Sequence, residues 1–118
     1  MKVDFKFSVL LSVYKAEDPV FLEECLGSIF DNSLIPDEVV IVEDGPLTDK
    51  LYKKLDFFSE KYKGIIKRVQ IEHNVGLGQA LAIGLKACSY NLIARMDTDD
   101  ICISNRFELQ IKEFQKDN

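Results

Sequence analysis

The sequence predicts an α/β fold: a mostly parallel sheet with helices on both faces. Three observations predict it. Short β-branched and apolar runs alternate four times with segments of helical periodicity. Capping and turn residues mark the changeovers. A cluster of polar residues follows every strand-like run, at the carboxyl ends, where open parallel sheets bind ligands.

Taken in order, Phe7-Ser8-Val9-Leu10-Leu11-Ser12-Val13 reads as a buried strand. Asp18-Pro19 then opens a helix, with Asp18 as N-cap and Pro19 in the first helical position. Val20, Phe21, Leu22, Cys25, Leu26, Ile29 and Phe30 recur at helical spacing as far as Asp31. Asn32-Ser33 and Pro36-Asp37 form a loop, Glu38 to Glu43 a second strand, and Asp44-Gly45-Pro46 a sharp turn. Thr48 caps a helix carrying Leu51, Tyr52, Leu55, Phe58 and Tyr62, and Gly64 is expected to end it. Ile65 to Ile71 is a third strand. The glycine-rich stretch His73 to Gly78 leads into a helix running to about Cys88. Leu92 to Met96 is a fourth strand. A final helix then carries Phe107, Ile111 and Phe114 behind a capping pair, Asn105 and Glu108. This alternation implies right-handed βαβ units.

The 118 residues suit a single domain, 1–118. Net charge is −5 with no run of Lys or Arg, which argues against nucleic acid as a partner. No apolar run approaches a membrane span, and Met1 is not followed by a signal-peptide apolar region. Cys25, Cys88 and Cys102 form no CxxC pair, which fits reduced thiols in a cytoplasmic setting. The group Lys61, Lys63, Lys67 and Arg68 reads as a solvated face. Leu81, Leu85 and Cys88 read as a core stripe beside Gly84.

The chemistry concentrates on four clusters: Ser12, Tyr14 and Glu17; Glu43, Asp44 and Gly45; His73, Asn74 and Gly76; Asp97, Asp99 and Asp100. Two carboxylates one residue apart reach a divalent cation if the loop bends, and Mg²⁺ or Mn²⁺ takes such hard oxygen ligands. The plainer alternative is a solvated acidic turn at a helix N-terminus. Asp44 either accepts bonds from a base or ribose, or holds its own Asp-Gly turn. The loop from His73 to Gly78 offers N–H groups to phosphate, or is simply a tight βα connection; it is neither a G-x-G-x-x-G fingerprint nor a P-loop. Tyr14 either stacks on a base or is a rim aromatic.

In order and spacing, four stretches resemble the nucleotide-binding half of family 2 glycosyltransferases of bacterial surface-polysaccharide type. They are Phe7 to Tyr14, Glu43 to Pro46, Asn74 to Gly78, and Ala94-Arg95-Met96-Asp97-Thr98-Asp99-Asp100. The resemblance implies a Rossmann-like GT-A fold, a nucleotide-diphosphate sugar donor, most often UDP-linked, and inversion at the anomeric carbon. It implies that Ser12, Tyr14 and Glu17 hold the nucleoside and that Asp44 contacts the base. Asn74 and Gly76 complete the expected nucleotide-contacting set. The resemblance further implies that Asp97 lies near ribose and metal and that Asp99 is the principal ligand of Mn²⁺ or Mg²⁺. The implied acceptor is a glycan or a lipid-linked glycan, met in the cytoplasm at the inner face of the membrane. Family members continue through an acceptor region carrying the catalytic base, so this chain is expected to be the donor part, truncated before that region and inactive alone. An apolar surface left by truncation would favour a homodimer. Pro46 stands where many members have Ser, and Ala82 where close relatives often have Asn.

Competing readings are a nucleotide-binding module without turnover and another metal-dependent phosphate-ester enzyme. Aspartyl phosphatases and receiver modules want their acidic residues after the first strand, and nucleotidyltransferases want a basic glycine-rich loop there. Ser12-Val13-Tyr14-Lys15-Ala16-Glu17 supplies neither.

Overall fold

The computed structural model describes residues 6–98 and Phe107. Within them the chain runs β1 (Phe7–Val13), α1 (Pro19–Phe30), β2 (Glu38–Asp44), α2 (Asp49–Lys61), β3 (Ile66–Ile71), α3 (Leu77–Ala87) and β4 (Leu92–Arg95). The four strands form one parallel sheet in the order β3-β2-β1-β4. Stepping from β1 to β2 to β3 with right-handed crossovers puts α1 and α2 on one face. Stepping back from β3 to β4 puts α3 on the other. The order reverses between β1 and β4, so the crevice at their carboxyl ends is the natural ligand site.

Strand alternation sorts the core. Phe7, Val9, Leu11, Val13, Val39 and Ile41 meet Leu22, Cys25, Leu26, Ile29, Leu51 and Leu55 of α1 and α2. Leu10, Val40 and Val42 meet Ala80 on the α3 face. Each buried Leu or Ile stabilises this packing by roughly 2 kcal/mol on the area scale.

The caps follow the expected chemistry. Asp18 Oδ1 accepts from Val20 N at 2.8 Å, and Thr48 Oγ1 accepts from Leu51 N at 3.3 Å. Helix α2 stops at Lys61, before Gly64, because Tyr62 turns out of the helix; its ring stacks on Phe30 with centroids 3.7 Å apart. Strand β4 ends at Arg95, although Met96 N still donates to Leu10 O at 2.9 Å. Two apolar stripes differ from expectation. Val20 and Phe21 are exposed, since α1 buries the stripe Leu22, Cys25, Leu26, Ile29 and Phe30 and these two lie off it. In α3 Leu85 is 53% exposed, and the small residues Ala80 and Gly84 face the sheet instead. A Cβ on Gly84 would come within 2.5 Å of Leu10 and Val42, so glycine sets how closely α3 approaches.

Cys25 and Cys88 are not joined in a disulfide. Phe107 is helical and buried, its ring 5.2 Å from that of Phe7. The capping pair Asn105 and Glu108, the rest of the final helix, Asp99, Asp100 and Cys102 lie outside the described residues. No helix among the described residues is long and apolar enough to cross a membrane.

Candidate functional site

A cavity of about 320 Å³ opens at the carboxyl ends of the strands, lined by Ser12, Tyr14, Glu17, Asp44, Asn74, Gly76 and Leu77. Six of the residues expected at a nucleotide site therefore share one cavity, although they come from three separate stretches of chain. Strand β1 brings Ser12, and the turn after it brings Tyr14 and Glu17. The last residue of β2 is Asp44, and the loop from β3 to α3 brings Asn74 and Gly76. Tyr14 keeps its ring at the rim, 43% exposed. Helix α3 starts at this cavity with no side-chain cap, so its first-turn N–H groups are not masked by a capping side chain.

Asp44 is only 3% exposed. Its Oδ1 accepts from Val75 N at 2.7 Å, and its Oδ2 accepts from Gly76 N and Asn74 Nδ2, both at 3.1 Å. A carboxylate has about four acceptor directions, so most of this one is occupied by the loop. Asp44 thus straps the glycine-rich loop to the end of β2, across 31 residues of sequence at Val75. Its alternative as an Asp-Gly turn bonded to its own backbone does not describe these bonds. The neighbouring Gly45 makes the strap possible. Its φ is +84°, and a Cβ there would stand 2.7 Å from Asn74 N.

Glu43 points to the opposite face and does not line the cavity. It is buried, and its Oε2 accepts from Arg68 Nε at 2.6 Å while Oε1 accepts from Gln70 Nε2 at 3.3 Å. Arg68 also pairs with Asp56. Burial alone would lower the Arg68 pKa, but the bonds and charges of Glu43 and Asp56 outweigh it and hold it above its usual value. The expectation of a solvated basic face is therefore wrong for Arg68, whereas Lys67 is exposed as expected, with its Nζ donating to Ala87 O at 2.8 Å. The partners are remote in sequence, which is why a local reading missed them.

The start of the acidic stretch, Asp97 and Thr98, is held by bonds to distant residues as well. Strand-like alternation continues past β4, so Met96 and Thr98 are buried and Asp97 between them is 53% exposed along its side chain. Thr98 Oγ1 donates to Glu17 Oε2 at 2.7 Å, and Cys25 Sγ lies 3.5 Å from Asp97 O. Arg95 Nη2 is 3.8 Å from Asp97 Oδ1. Among the described residues no three His, Cys, Asp or Glu side chains converge as a metal site. The donor set fits a hard divalent cation in kind: an outward aspartate oxygen, with Asp99 two residues on in the sequence.

At the far end of the sheet Glu38 forms a second buried network. It accepts from Ser8 Oγ at 2.8 Å, Ser89 N at 2.7 Å and Ser89 Oγ at 2.8 Å. Burial pushes its carboxyl up, but these bonds and the charge of Lys67 together bring it below its ordinary value. Beside it, burial and the Glu38 charge raise the Cys88 thiol.

Residues 8–118 match the family described as "Glycosyl transferase family 2". The chain is 47% identical over 105 residues to the amylovoran biosynthesis glycosyltransferase AmsE of Erwinia amylovora, covering 89% of this chain and 39% of that protein. It is 46% identical over 103 residues to the UDP-Gal:alpha-D-GlcNAc-diphosphoundecaprenol beta-1,3-galactosyltransferase of Escherichia coli, covering 87% of this chain and 37% of that protein. The chain therefore spans under two fifths of the length of these relatives. Among solved structures, S. aureus TarS 1-349 in complex with UDP superposes with a TM-score of 0.79 at 25% identity, covering 95% of this chain and 32% of that one. The parallel sheet, its helices on both faces and the family match over nearly the whole sequence agree, and the chain belongs to glycosyl transferase family 2, with a GT-A-like arrangement.

Proposed function

We propose that this chain is the donor-binding part of an inverting glycosyltransferase that takes a sugar from a nucleotide-diphosphate sugar, UDP-linked, and passes it to a lipid-linked or glycan acceptor during surface-polysaccharide synthesis. The observation that carries the reading is the convergence of Ser12, Tyr14, Glu17, Asp44, Asn74 and Gly76 on one cavity beside the acidic turn. The activities of the relatives support it. One uses UDP-galactose and a diphosphoundecaprenol-linked acceptor, another serves amylovoran synthesis, and TarS has been solved with UDP.

In this reading Tyr14 stacks against the nucleobase and Ser12 bonds the nucleoside. Asp44 holds the loop of Asn74 and Gly76 in place, and its remaining acceptor direction faces the base. The N-terminus of α3 receives negative charge from the donor. Asp97 and Asp99 would hold the divalent ion, Mn²⁺ or Mg²⁺, which supplies Lewis-acid neutralisation of the departing diphosphate. The general base that activates the acceptor hydroxyl belongs to the acceptor region of the full-length enzyme. A lipid-linked acceptor places the work at the cytoplasmic face of a membrane.

Calorimetric titration of UDP, with Mn²⁺ and then with chelator, tests this. Metal-dependent binding that disappears in Asp99→Asn is expected. A folded chain that binds no nucleotide under either condition would contradict the donor role.

A further inference from the structure

The middle residue of Asp97-Thr98-Asp99 is buried, with Thr98 4% exposed. Its hydroxyl donates across 81 residues of chain to Glu17 Oε2 at 2.7 Å. Glu17 itself lines the cavity. The two turns meet because β1 and β4 are neighbours in register, with Leu10 opposite Arg95. Valine would fill the same space as Thr98 without a hydroxyl to satisfy, so what threonine adds is this bond. The bond joins the cavity wall to the backbone between two carboxylates.

We infer that Thr98 and Glu17 are positioning residues whose hydrogen bond holds the acidic turn at the orientation in which it supports a divalent cation beside the nucleotide. The inference rests on the donor-site reading and deepens it. Glu17 then serves the site through the turn as well as through the cavity wall. Partners that orient metal-ligating side chains are typically worth about 10- to 100-fold in metal affinity, and that is the size of effect expected.

The test uses the whole chain and three variants, Thr98→Val, Thr98→Ser and Glu17→Ala. Mn²⁺ affinity is read by electron paramagnetic resonance, and UDP affinity by calorimetry with Mn²⁺ and with chelator. Thr98→Val is expected to lose about 10- to 100-fold in Mn²⁺ affinity and in the Mn²⁺-supported part of UDP binding. Metal-free UDP affinity and melting temperature stay near wild type, and Thr98→Ser restores the loss. If Thr98→Val fails to fold, Glu17→Ala breaks the same bond from the other partner and is read by Mn²⁺ affinity without nucleotide, where the same loss is expected. Wild-type Mn²⁺ affinity in Thr98→Val or, where that does not fold, in Glu17→Ala overturns the inference. So does an equal loss of UDP affinity with and without metal in Thr98→Val, which marks a general structural role. A wild-type chain that binds no UDP overturns the donor reading itself, a result distinct from any difference between variants.

Discussion

Asp44 closes β2 and Asp97 follows β4, on either side of β1, and the fold gives them opposite surroundings. Asp44 is buried and three donors from the glycine-rich loop hold its oxygens. Asp97 is half exposed, while the residues on both sides of it are buried. Both are strand-end aspartates, and nothing local in the sequence separates them. The difference comes from what the fold brings to each. An aspartate packed beneath a loop uses its charge to tie backbone amides. One lifted out by alternation leaves its carboxylate at the surface.

The sharpest way to break the comparison is at the buried end. Asp44→Ala strips the loop amides of a charged acceptor and is expected to lower unfolding free energy by about 4 kcal/mol. That corresponds to a fall of about 15 °C in melting temperature, measured by urea and thermal denaturation. A loss below about 1 kcal/mol would show that the loop does not need the strap. Next to it, Arg68→Ala leaves buried Glu43 with only Gln70 and is expected to remove about 3 kcal/mol in urea denaturation. This variant should leave nucleotide binding intact, because Glu43 lies on the face away from the cavity.

Glu38 sharpens the comparison at the other end of the same strand. Its carboxyl is held below the ordinary value of 4.5, so its contribution is complete above that pH and is lost as pH falls through the folded-state value. Glu38→Gln should therefore make the acid limb of a stability–pH curve shallower while lowering stability at neutral pH. An unchanged acid limb would mean that the serine bonds at Glu38 do not persist in solution.

Much of this architecture is legible in local sequence. Asp18-Pro19 and Thr48 mark helix starts because a cap interacts within two or three residues. The β-branched runs mark strands because burial on both faces forbids polar interruption. Most of the cavity is legible too, since parallel strands must collect their carboxyl ends on one rim. What local reading misses is pairing across distance. Arg68 looks solvated beside Lys61, Lys63 and Lys67, yet its partner Glu43 lies 25 residues away. The bond from Thr98 to Glu17 spans 81 residues, and no periodicity announces it. Leu85 looks like core because helical spacing gives a stripe but not its direction; Ala80 and Gly84 set that direction by letting α3 close onto the sheet.

The smallest expected effect on stability belongs to Asp97→Asn, about 0.5 kcal/mol or less, since the substitution keeps the size and shape of a side chain that is 53% exposed. Its effect on ligand binding should be the largest, and that contrast is the most direct test of the central claim. The measurement is calorimetric titration of UDP with Mn²⁺ into Asp97→Asn, alongside its melting curve. Wild-type stability with the metal-dependent part of UDP binding lost is the result expected of an aspartate kept for ligand. Unchanged metal-dependent binding, or a fall in stability as large as that of Asp44→Ala, would contradict the division of labour between the two aspartates.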